Sequence, residues 1–223
     1  MIADCTAIIL AGGESKRMGR DKAALPFNGE TLLQSVIGSV QPLFAQTLVS
    51  VRELRADVSL PQICDTQADG GPLIGLISAL ETVTTPWVFV VACDMPFVAP
   101  ALIEQLASYR EKPSKAQPSP ALPCASIRYA DARTRGGRGG LVCQAVVPII
   151  AGYPQPLAAF YARSCLPLLQ NSLASGNKSM VGALKSLDVR YVGADELLQF
   201  DPQLRSFFDL DTPQDVAIAE GMK

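Results

Sequence analysis

Short apolar runs bounded by Gly, Pro or Asp recur along the chain, and such runs predict buried β-strands. The runs expected to form strands cover residues 6–10, 47–51, 62–65, 87–93 and 143–150. Between the early runs, apolar residues repeat at helical spacing in the segments 32–40, 73–80 and 102–106. Nearly continuous apolar strands that alternate with helices predict an α/β fold, in which a mostly parallel central sheet is covered by helices on both faces.

The pattern continues after residue 160. It predicts helices over residues 164–174 and 178–187, and strands over residues 189–192 and 207–210. A last helix has a well-marked start, because Thr212 is a typical N-cap, Pro213 suits the first helical position and Asp215 completes a box-like cap.

The segment between residues 112 and 140 differs from the rest of the chain. It contains four prolines, followed by the arginine- and glycine-rich run RTRGGRGG. Such a composition buries little apolar surface and predicts a flexible insertion. We therefore expect a single domain, residues 1–223, with this insertion at 112–140. An arginine–glycine patch that contacts nucleic acid or an acidic partner is the alternative interpretation of the segment.

The absence of histidine excludes several kinds of chemistry. A His general base, the Ser-His-Asp and Cys-His nucleophilic schemes, and His-ligated zinc or iron sites are all removed. Carboxylate, lysine and backbone groups remain. A carboxylate-only site favours a hard cation such as Mg²⁺.

Charge and cysteine usage are those of an ordinary globular protein. The net charge of −2 and the 48% of hydrophobic residues leave no overall basic field for nucleic acid. The six cysteines are scattered without a C-x-x-C pair, which predicts reduced core residues in a cytoplasmic protein. We expect no signal peptide, and the prolines of the uncharged segment 139–162 predict a strand and a loop rather than a membrane span.

The segment LAGGESKRMGRDK, residues 10–22, joins the first predicted strand to a glycine turn rich in cations. Gly12 and Gly13 allow backbone N–H groups to approach an anion closely. Four positive charges lie within seven residues, at Lys16, Arg17, Arg20 and Lys22. Because open α/β sheets bind ligands at the carboxyl ends of their strands, we predict a polyphosphate site here. The segment matches neither the Walker loop nor G-x-G-x-x-G, and a solvated basic loop is the alternative.

Carboxylates follow several of the predicted strands. Asp94 comes directly after the apolar run 87–93, and Asp65 ends the run 62–65. Asp209 and Asp211 lie at the end of the last predicted strand. If these ends converge with the glycine turn, metal-binding carboxylates and phosphate-binding cations share one rim of the sheet. For Asp94 taken alone, a turn cap is an equal alternative.

These segments together resemble one family of enzymes. The matching stretches are LAGG…RMG…DK at residues 10–22, Asp65 with GPLIG at 71–75, CDMP at 93–96 and DTP at 211–213. They occur in the same order in the molybdenum cofactor guanylyltransferases, which are nucleotidyltransferases with a glycosyltransferase-A-like fold. The resemblance covers almost the whole chain except the 112–140 insertion. It implies a Rossmann-like sheet of the nucleotide-diphospho-sugar transferase type, and the second glycine of the turn favours the guanylyl branch over its cytidylyl relatives.

The resemblance also implies roles for individual residues. The resemblance implies that Lys22, Arg17 and Asp94 are catalytic residues. Lys22 and Arg17 would neutralise phosphate charge, and Asp94 would bind Mg²⁺. Asp209 is the expected second metal ligand, with Asp211 as the alternative. The residues implied in GTP binding are Leu10, Ala11, Gly12, Gly13, Lys22, Ser50, Asp65 and Asp94. Ser50 replaces an asparagine of the family, and the acceptor side is expected near residues 155–157 and Lys178.

The implied reaction transfers GMP from GTP to the phosphate of molybdopterin, forming molybdopterin guanine dinucleotide and releasing pyrophosphate. A phosphate monoester is largely ionised at neutral pH, so no histidine base is needed. The implied partners are GTP, molybdopterin and, transiently, cofactor delivery proteins or recipient apo-enzymes, with no nucleic acid and no membrane. Two alternatives stay open. One is a related nucleotidyltransferase that uses CTP or another phosphate acceptor, and the other is a non-catalytic nucleotide-binding module, at which Ser50 hints.

Overall fold

The structure is a computed structural model that describes residues 1–12, 21–65, 71–111 and 143–221. The strands are β1 (Ile2–Leu10), β2 (Pro26–Phe27), β3 (Glu30–Thr31), β4 (Phe44–Val51), β5 (Gln62–Cys64), β6 (Trp87–Ala92), β7 (Ala145–Ile150), β8 (Tyr153–Pro154), β9 (Ala158–Ala162) and β10 (Val189–Gly193). The helices are α1 (Leu32–Val40), α2 (Gly71–Thr82), α3 (Pro100–Ser108), α4 (Leu166–Ala174), α5 (Met180–Leu184), α6 (Ala194–Leu197) and α7 (Pro213–Glu220). Short 3-10 turns cover Lys22–Ala24, Gln41–Leu43, Arg163–Cys165 and Arg205–Phe207.

The central sheet has the strand order β10-β7-β9-β6-β1-β4-β5, with β8 paired to β7. All neighbours in the main order are parallel except β9, which runs antiparallel to both β6 and β7. From β1 the chain first builds outward through β4 and β5, and then returns to place β6 on the other side of β1. The sheet therefore has its topological switch point between β1 and β6, where open α/β sheets leave a crevice for ligands.

Two apolar layers cover the sheet, one on each face. Alternation along β6 divides its side chains between them: Phe89 and Val91 face the layer of α1 and α3, whereas Val88 and Val90 face that of α2, α4 and α5. All four side chains are fully buried. Burial of a side chain of this size stabilises a fold by about 1.5–3 kcal/mol. The expected α/β class, with a mostly parallel sheet and helices on both faces, is confirmed.

Most predicted elements are present with shifted ends. The strand predicted at 143–150 begins at Ala145, and the helix predicted at 178–187 shortens to α5. The helix predicted at 164–174 begins at Leu166, after a 3-10 turn. The antiparallel strand β9 has no counterpart in the sequence-based prediction.

The strand predicted at 207–210 is wrong. The buried carboxylate of Asp201 accepts hydrogen bonds from the backbone N–H groups of Arg205 at 3.1 Å and Ser206 at 2.8 Å. These bonds wind Arg205–Phe207 into a 3-10 turn, and the chain then continues without strand pairing. This segment is held in place by a hydrogen bond from the Leu210 N–H group to the backbone oxygen of Asp94, at 3.0 Å.

The predicted start of the last helix is confirmed. The hydroxyl group of Thr212 accepts from the Asp215 N–H group at 3.2 Å, and the Asp215 carboxylate accepts from the Thr212 N–H group at 2.7 Å. This reciprocal pair is a capping box. It also receives the Asp211 N–H group at 3.1 Å, so the box fixes the backbone on which the Asp211 side chain stands.

Three other expectations meet the structure only in part. The insertion at 112–140 lies outside the described residues, so its flexibility stays a prediction. Among the cysteines that the structure describes, Cys5, Cys93, Cys143 and Cys165 are buried as expected, but Cys64 is exposed. In the described ranges, no helix has both the length and the apolar character needed to cross a bilayer.

Candidate active site

The carboxyl ends of β4, β1 and β6 lie side by side and define the candidate site. Leu10 pairs with Ser50 on one side and with Ala92 on the other, so the three strands end on one line. Two backbone bonds continue past the strand ends, from the Ala11 N–H group to the Ser50 oxygen at 2.8 Å and from the Cys93 N–H group to the Leu10 oxygen at 3.1 Å. The strand ends are thereby held in fixed register where the chain turns away from the sheet.

An open pocket with a cavity volume of about 150 Å³ lies at these strand ends. The described residues that line it are Leu10, Ala11, Gly12, Lys22, Ala23, Ser50, Asp65, Gly71, Pro72, Gly75, Ala92, Cys93, Asp94 and Leu157. Seven of the side chains and backbone positions expected from the sequence are thus brought together: Leu10, Ala11, Gly12, Lys22, Ser50, Asp65 and Asp94. Gly13 and Arg17 lie outside the described residues.

An ammonium group joins two carboxylates at one end of the pocket. Lys22 Nζ donates to Asp94 Oδ2 at 2.8 Å and also to Asp211 Oδ1. Lys22 and Asp94 are shielded, with side chains 16% and 18% exposed, whereas Asp211 is 47% exposed. Burial alone would lower the pKa of Lys22, but hydrogen bonds to Asp211 and Asp94 outweigh it and raise the pKa above its usual value. Lys22 is therefore a fixed positive charge at neutral pH.

Asp209 lies near this cluster but does not line the pocket. Crowding of its carboxyl group by protein, followed by the negative charges of Asp94 and Asp211, raises the pKa of Asp209 to about 6. The hydrogen bonds of Lys22 go to Asp94 and Asp211. Of the two candidates, Asp211 therefore contacts Lys22, and a metal-ligand role for either Asp209 or Asp211 stays a prediction.

Ser50 and Asp65 form a second polar pair in the pocket. The Ser50 hydroxyl group, which is buried, donates to Asp65 Oδ1 at 2.9 Å. Burial raises the pKa of Asp65, and the Ser50 hydrogen bond and the charge of Arg52 oppose part of that rise. The serine that replaces the family's asparagine is thus engaged in holding this carboxylate.

Two glycines allow the backbone to pack closely around this pair. A Cβ atom at Gly75 of α2 would lie 2.9 Å from Ser50 Oγ and 3.0 Å from Leu10 Cδ2. A Cβ atom at Gly12 would lie 3.1 Å from Asp65 Oδ2. Gly12 and the N-terminal half of α2 therefore approach Asp65 more closely than larger residues would permit.

Cys93 lines the pocket next to Asp94, which raises the question of a nucleophile. Burial, followed by the charges of Asp94 and Asp21, raises the pKa of the Cys93 thiol to about 12. A thiol with that pKa is protonated at neutral pH and is a poor nucleophile. The pocket is therefore suited to charge neutralisation rather than to covalent catalysis by Cys93.

The expected acceptor side is only partly in place. Leu157 lines the pocket, and its backbone oxygen accepts from the Ala92 N–H group at 3.1 Å. Gln155 and the exposed Lys178 are not among the lining residues of the described part. Asp21 and Arg55 meet beside Lys22. Asp21 belongs to the DK motif at residues 21–22, but no sequence pattern singled out Arg55 or linked it to Asp21.

The fold and the site together define a nucleotidyltransferase. A model for the MobA-like NTP transferase domain matches residues 7–189. Molybdenum cofactor guanylyltransferases from Pseudomonas putida and Syntrophotalea carbinolica are 31% and 30% identical to this chain. The first alignment covers 95% of this chain and 96% of the relative, and the second covers 94% and 88%. This chain belongs to the family of MobA-like molybdenum cofactor guanylyltransferases.

Solved structures agree with this assignment. Molybdopterin-guanine dinucleotide biosynthesis protein A from Archaeoglobus fulgidus superposes with a TM-score of 0.77 at 27% identity, over 97% of each chain. 2-C-methyl-D-erythritol 4-phosphate cytidylyltransferase from Thermus thermophilus superposes with a TM-score of 0.62 at 17% identity, again over 97% of each chain. The second similarity is one of fold.

The Ser50–Asp65 pair leads to a first prediction. Ser50→Ala should raise the pKa of Asp65 further, because the lost hydrogen bond favours the ionised form. The change is measurable as the pH dependence of the Asp65 carboxyl carbon signal in NMR. Thr47→Val is the matched control, since the Thr47 hydroxyl group is buried on the same strand without a hydrogen-bond partner in the described structure. A carboxyl titration that is the same in Ser50→Ala and in the unmodified protein would contradict this account.

Asp209 leads to a prediction on stability. Its pKa is higher in the folded protein, about 6, than the usual 3.8, so the stability falls as the pH rises from about 3.8 to about 6 and stays lower above that range. Asp209→Asn should therefore increase the free energy of unfolding at pH 7.5, by no more than about 1 kcal/mol because the residue is exposed. At pH 3, which is below both pKa values, the difference should vanish. Urea unfolding at both pH values, with chelator present, measures it, and a variant that is less stable at pH 7.5 would refute the assignment.

Proposed function

We propose that this protein transfers GMP from GTP to the terminal phosphate of molybdopterin, forming molybdopterin guanine dinucleotide and releasing pyrophosphate. The observation that carries the proposal is the pocket at the switch point of the sheet. There Gly12, which follows β1, lines the same pocket as the ammonium group of Lys22 and the carboxylate of Asp94. The choice of GTP as the nucleotide and molybdopterin as the acceptor is supported by the membership of this chain in the guanylyltransferase family.

The nucleotide would occupy the pocket with its phosphates towards Lys22. Leu10, Ala11 and Gly12 offer backbone groups at the end of β1, where Gly12 leaves room for close approach. In this proposal the carboxylate of Asp65, at the other side of the pocket, contacts the guanosine portion. Gly13 and Arg17 are proposed to extend the phosphate contacts.

The chemistry requires charge neutralisation more than proton transfer. An oxygen of the acceptor phosphate forms a bond to the α-phosphorus of GTP, and the bond from that phosphorus to the bridging oxygen of the β-phosphate breaks. The electron pair leaves with pyrophosphate. Lys22, fixed as an ammonium group, stabilises the negative charge that develops on the phosphate oxygens. The acceptor is already ionised at neutral pH, which agrees with the absence of histidine.

Dependence on Mg²⁺ is part of the proposal. The described residues contain no group of three or more metal-ligating side chains. Mg²⁺ is usually held by one or two carboxylates together with substrate phosphates, and the Asp94 and Asp211 carboxylates, which share the ammonium group of Lys22, fit that arrangement. Asp94 would hold the ion, with Asp211 or Asp209 as its second carboxylate. When bound, Mg²⁺ supplies positive charge against the triphosphate.

The remaining proposals concern the cell. A reaction that uses GTP and a reduced thiol population fit a cytoplasmic protein. The acceptor and product must pass between proteins, so transient contacts with cofactor delivery proteins or recipient apo-enzymes are proposed as well.

Nucleotide selectivity tests the proposed function. The purified protein is incubated with molybdopterin, Mg²⁺ and GTP, CTP or UTP, and pyrophosphate and the dinucleotide product are both measured. We expect turnover with GTP to exceed that with the other two nucleotides. Preference for CTP would make the protein a cytidylyl relative, and binding of GTP without any pyrophosphate release would make it a non-catalytic module.

The role of Asp94 gives the sharpest mutational prediction. Asp94→Asn keeps the size of the side chain and removes its charge, so guanylyl transfer should fall by about 10²–10³-fold, as for other losses of one electrostatic contributor. Thermal unfolding should change far less, because Lys22 keeps its contact with Asp211 and the Asp94 backbone oxygen keeps its bond from Leu210.

Asp195→Asn is the control, since it removes a carboxylate on α6 that does not line the pocket. Its transfer rate should match that of the unmodified protein. A folded Asp94→Asn protein with nearly unchanged turnover would mean that Asp94 only caps a turn.

A further inference from the structure

Arg55 is a shielded cation that lies beside the pocket without lining it. It stands in the connection between β4 and β5, and its side chain is 15% exposed. Both terminal nitrogens are engaged: Nη1 donates to Asp21 Oδ2, and Nη2 donates to Asp57 Oδ2 at 2.8 Å. A guanidinium group with both ends bound to carboxylates is suited to holding protein segments together rather than to binding a phosphate.

The backbone of Arg55 is itself fixed to the sheet. The Gln62 side chain accepts from the Arg55 N–H group at 2.8 Å and donates to the Arg55 oxygen at 2.8 Å. It also donates to the Val58 oxygen at 3.3 Å. Gln62 is the first residue of β5, which pairs with β4. The guanidinium group is therefore presented from a braced loop.

Asp21 connects this brace to Lys22. Its Oδ1 atom accepts from the Ala23 N–H group at 3.0 Å and caps the 3-10 turn Lys22–Ala24. Ala23 is buried, which fixes the turn against the core. The two oxygens of Asp21 thus have separate tasks, since Oδ1 holds the turn and Oδ2 meets Arg55. From this turn the Lys22 side chain reaches Asp94 and Asp211.

We propose that Arg55 is a positioning residue for nucleotide binding, which acts through Asp21 to hold the turn that presents the Lys22 ammonium group to the phosphates. The inference rests on the proposed function for the identity of the nucleotide. Without the ion pair, Asp21 can still cap the turn, but the turn loses its lateral anchor to the β4–β5 connection. A displacement of about 1 Å near reacting groups costs up to about 100-fold in rate, and a partial loosening costs less.

The test compares four variants: Arg55→Gln, Asp21→Asn, the double variant that combines these two substitutions, and Asp57→Asn. Arg55→Gln removes the positive charge, and Asp21→Asn removes the other member of the pair while leaving a good capping side chain. Asp57→Asn is the matched control, because it removes the second partner of Arg55 and leaves the bond to Asp21. KM and kcat for the nucleotide and the midpoint of thermal unfolding are measured for each protein.

We expect Arg55→Gln and Asp21→Asn each to raise the KM for GTP by about tenfold with a smaller effect on kcat. The double variant should be no worse than either single variant, because both remove the same link. Asp57→Asn should keep the KM of the unmodified protein. All midpoints of unfolding should stay within a few degrees of one another.

Several results would overturn the proposal. One is an unchanged KM for GTP in Arg55→Gln. Another is a rise of KM in the double variant that equals the product of the two single rises. The third is a rise of KM in Asp57→Asn as large as that in Arg55→Gln. If Arg55→Gln does not fold, the comparison of Asp21→Asn with Asp57→Asn decides, because only the first of these removes the link between Arg55 and Asp21. If the unmodified protein prefers CTP, the proposed function fails, and the comparison is made with CTP, so the two failures are distinct.

Discussion

The ammonium group of Lys22 is the point on which the organisation of the site depends. It joins the segment after the glycine turn to the end of β6 through Asp94, and to the segment before α7 through Asp211. Parallel strands bring their carboxyl ends together but leave the connecting segments free to diverge. One shielded cation between two carboxylates opposes that divergence. The two carboxylates carry more charge than the single ammonium group, and this excess suits the binding of a divalent cation that accompanies a polyphosphate.

The surroundings of this ion pair are rigid for reasons that lie in the sheet. Ser50, Leu10 and Ala92 are in register across three strands, and close packing at Gly75 leaves no space for movement of α2 towards them. Polar groups that are buried in such a place have fixed partners, as Ser50 and Asp65 illustrate. Preorganisation of this kind is the main resource of a site that neutralises charge without transferring protons.

The strongest sequence signals were those that depend on local physics. The apolar run of β6, the glycines of residues 12 and 13 and the capping box at Thr212 each need only a few neighbouring residues to be recognised. The strand β9 escaped prediction because Ala158, Ala159 and Ala162 have weak β-propensity, and its placement comes from pairing with β6 and β7. The segment 207–210 looks like a strand, but the nearby carboxylate of Asp201 accepts hydrogen bonds from the N–H groups of Arg205 and Ser206 just before it, which winds the chain into a 3-10 turn. Arg55 carried no signal, since its partner Asp21 is 34 residues away.

The contact between Lys22 and Asp211 spans 189 residues of sequence, compared with 72 for the contact between Lys22 and Asp94. During synthesis, Lys22, the strands β1, β4 and β6, and Asp94 are therefore all in the chain long before Asp211 is added. Over that interval only one of the two carboxylate partners of Lys22 exists. The excess of carboxylate charge at the site therefore arises only when Asp211 joins Lys22 and Asp94, after every strand of the sheet has been synthesised.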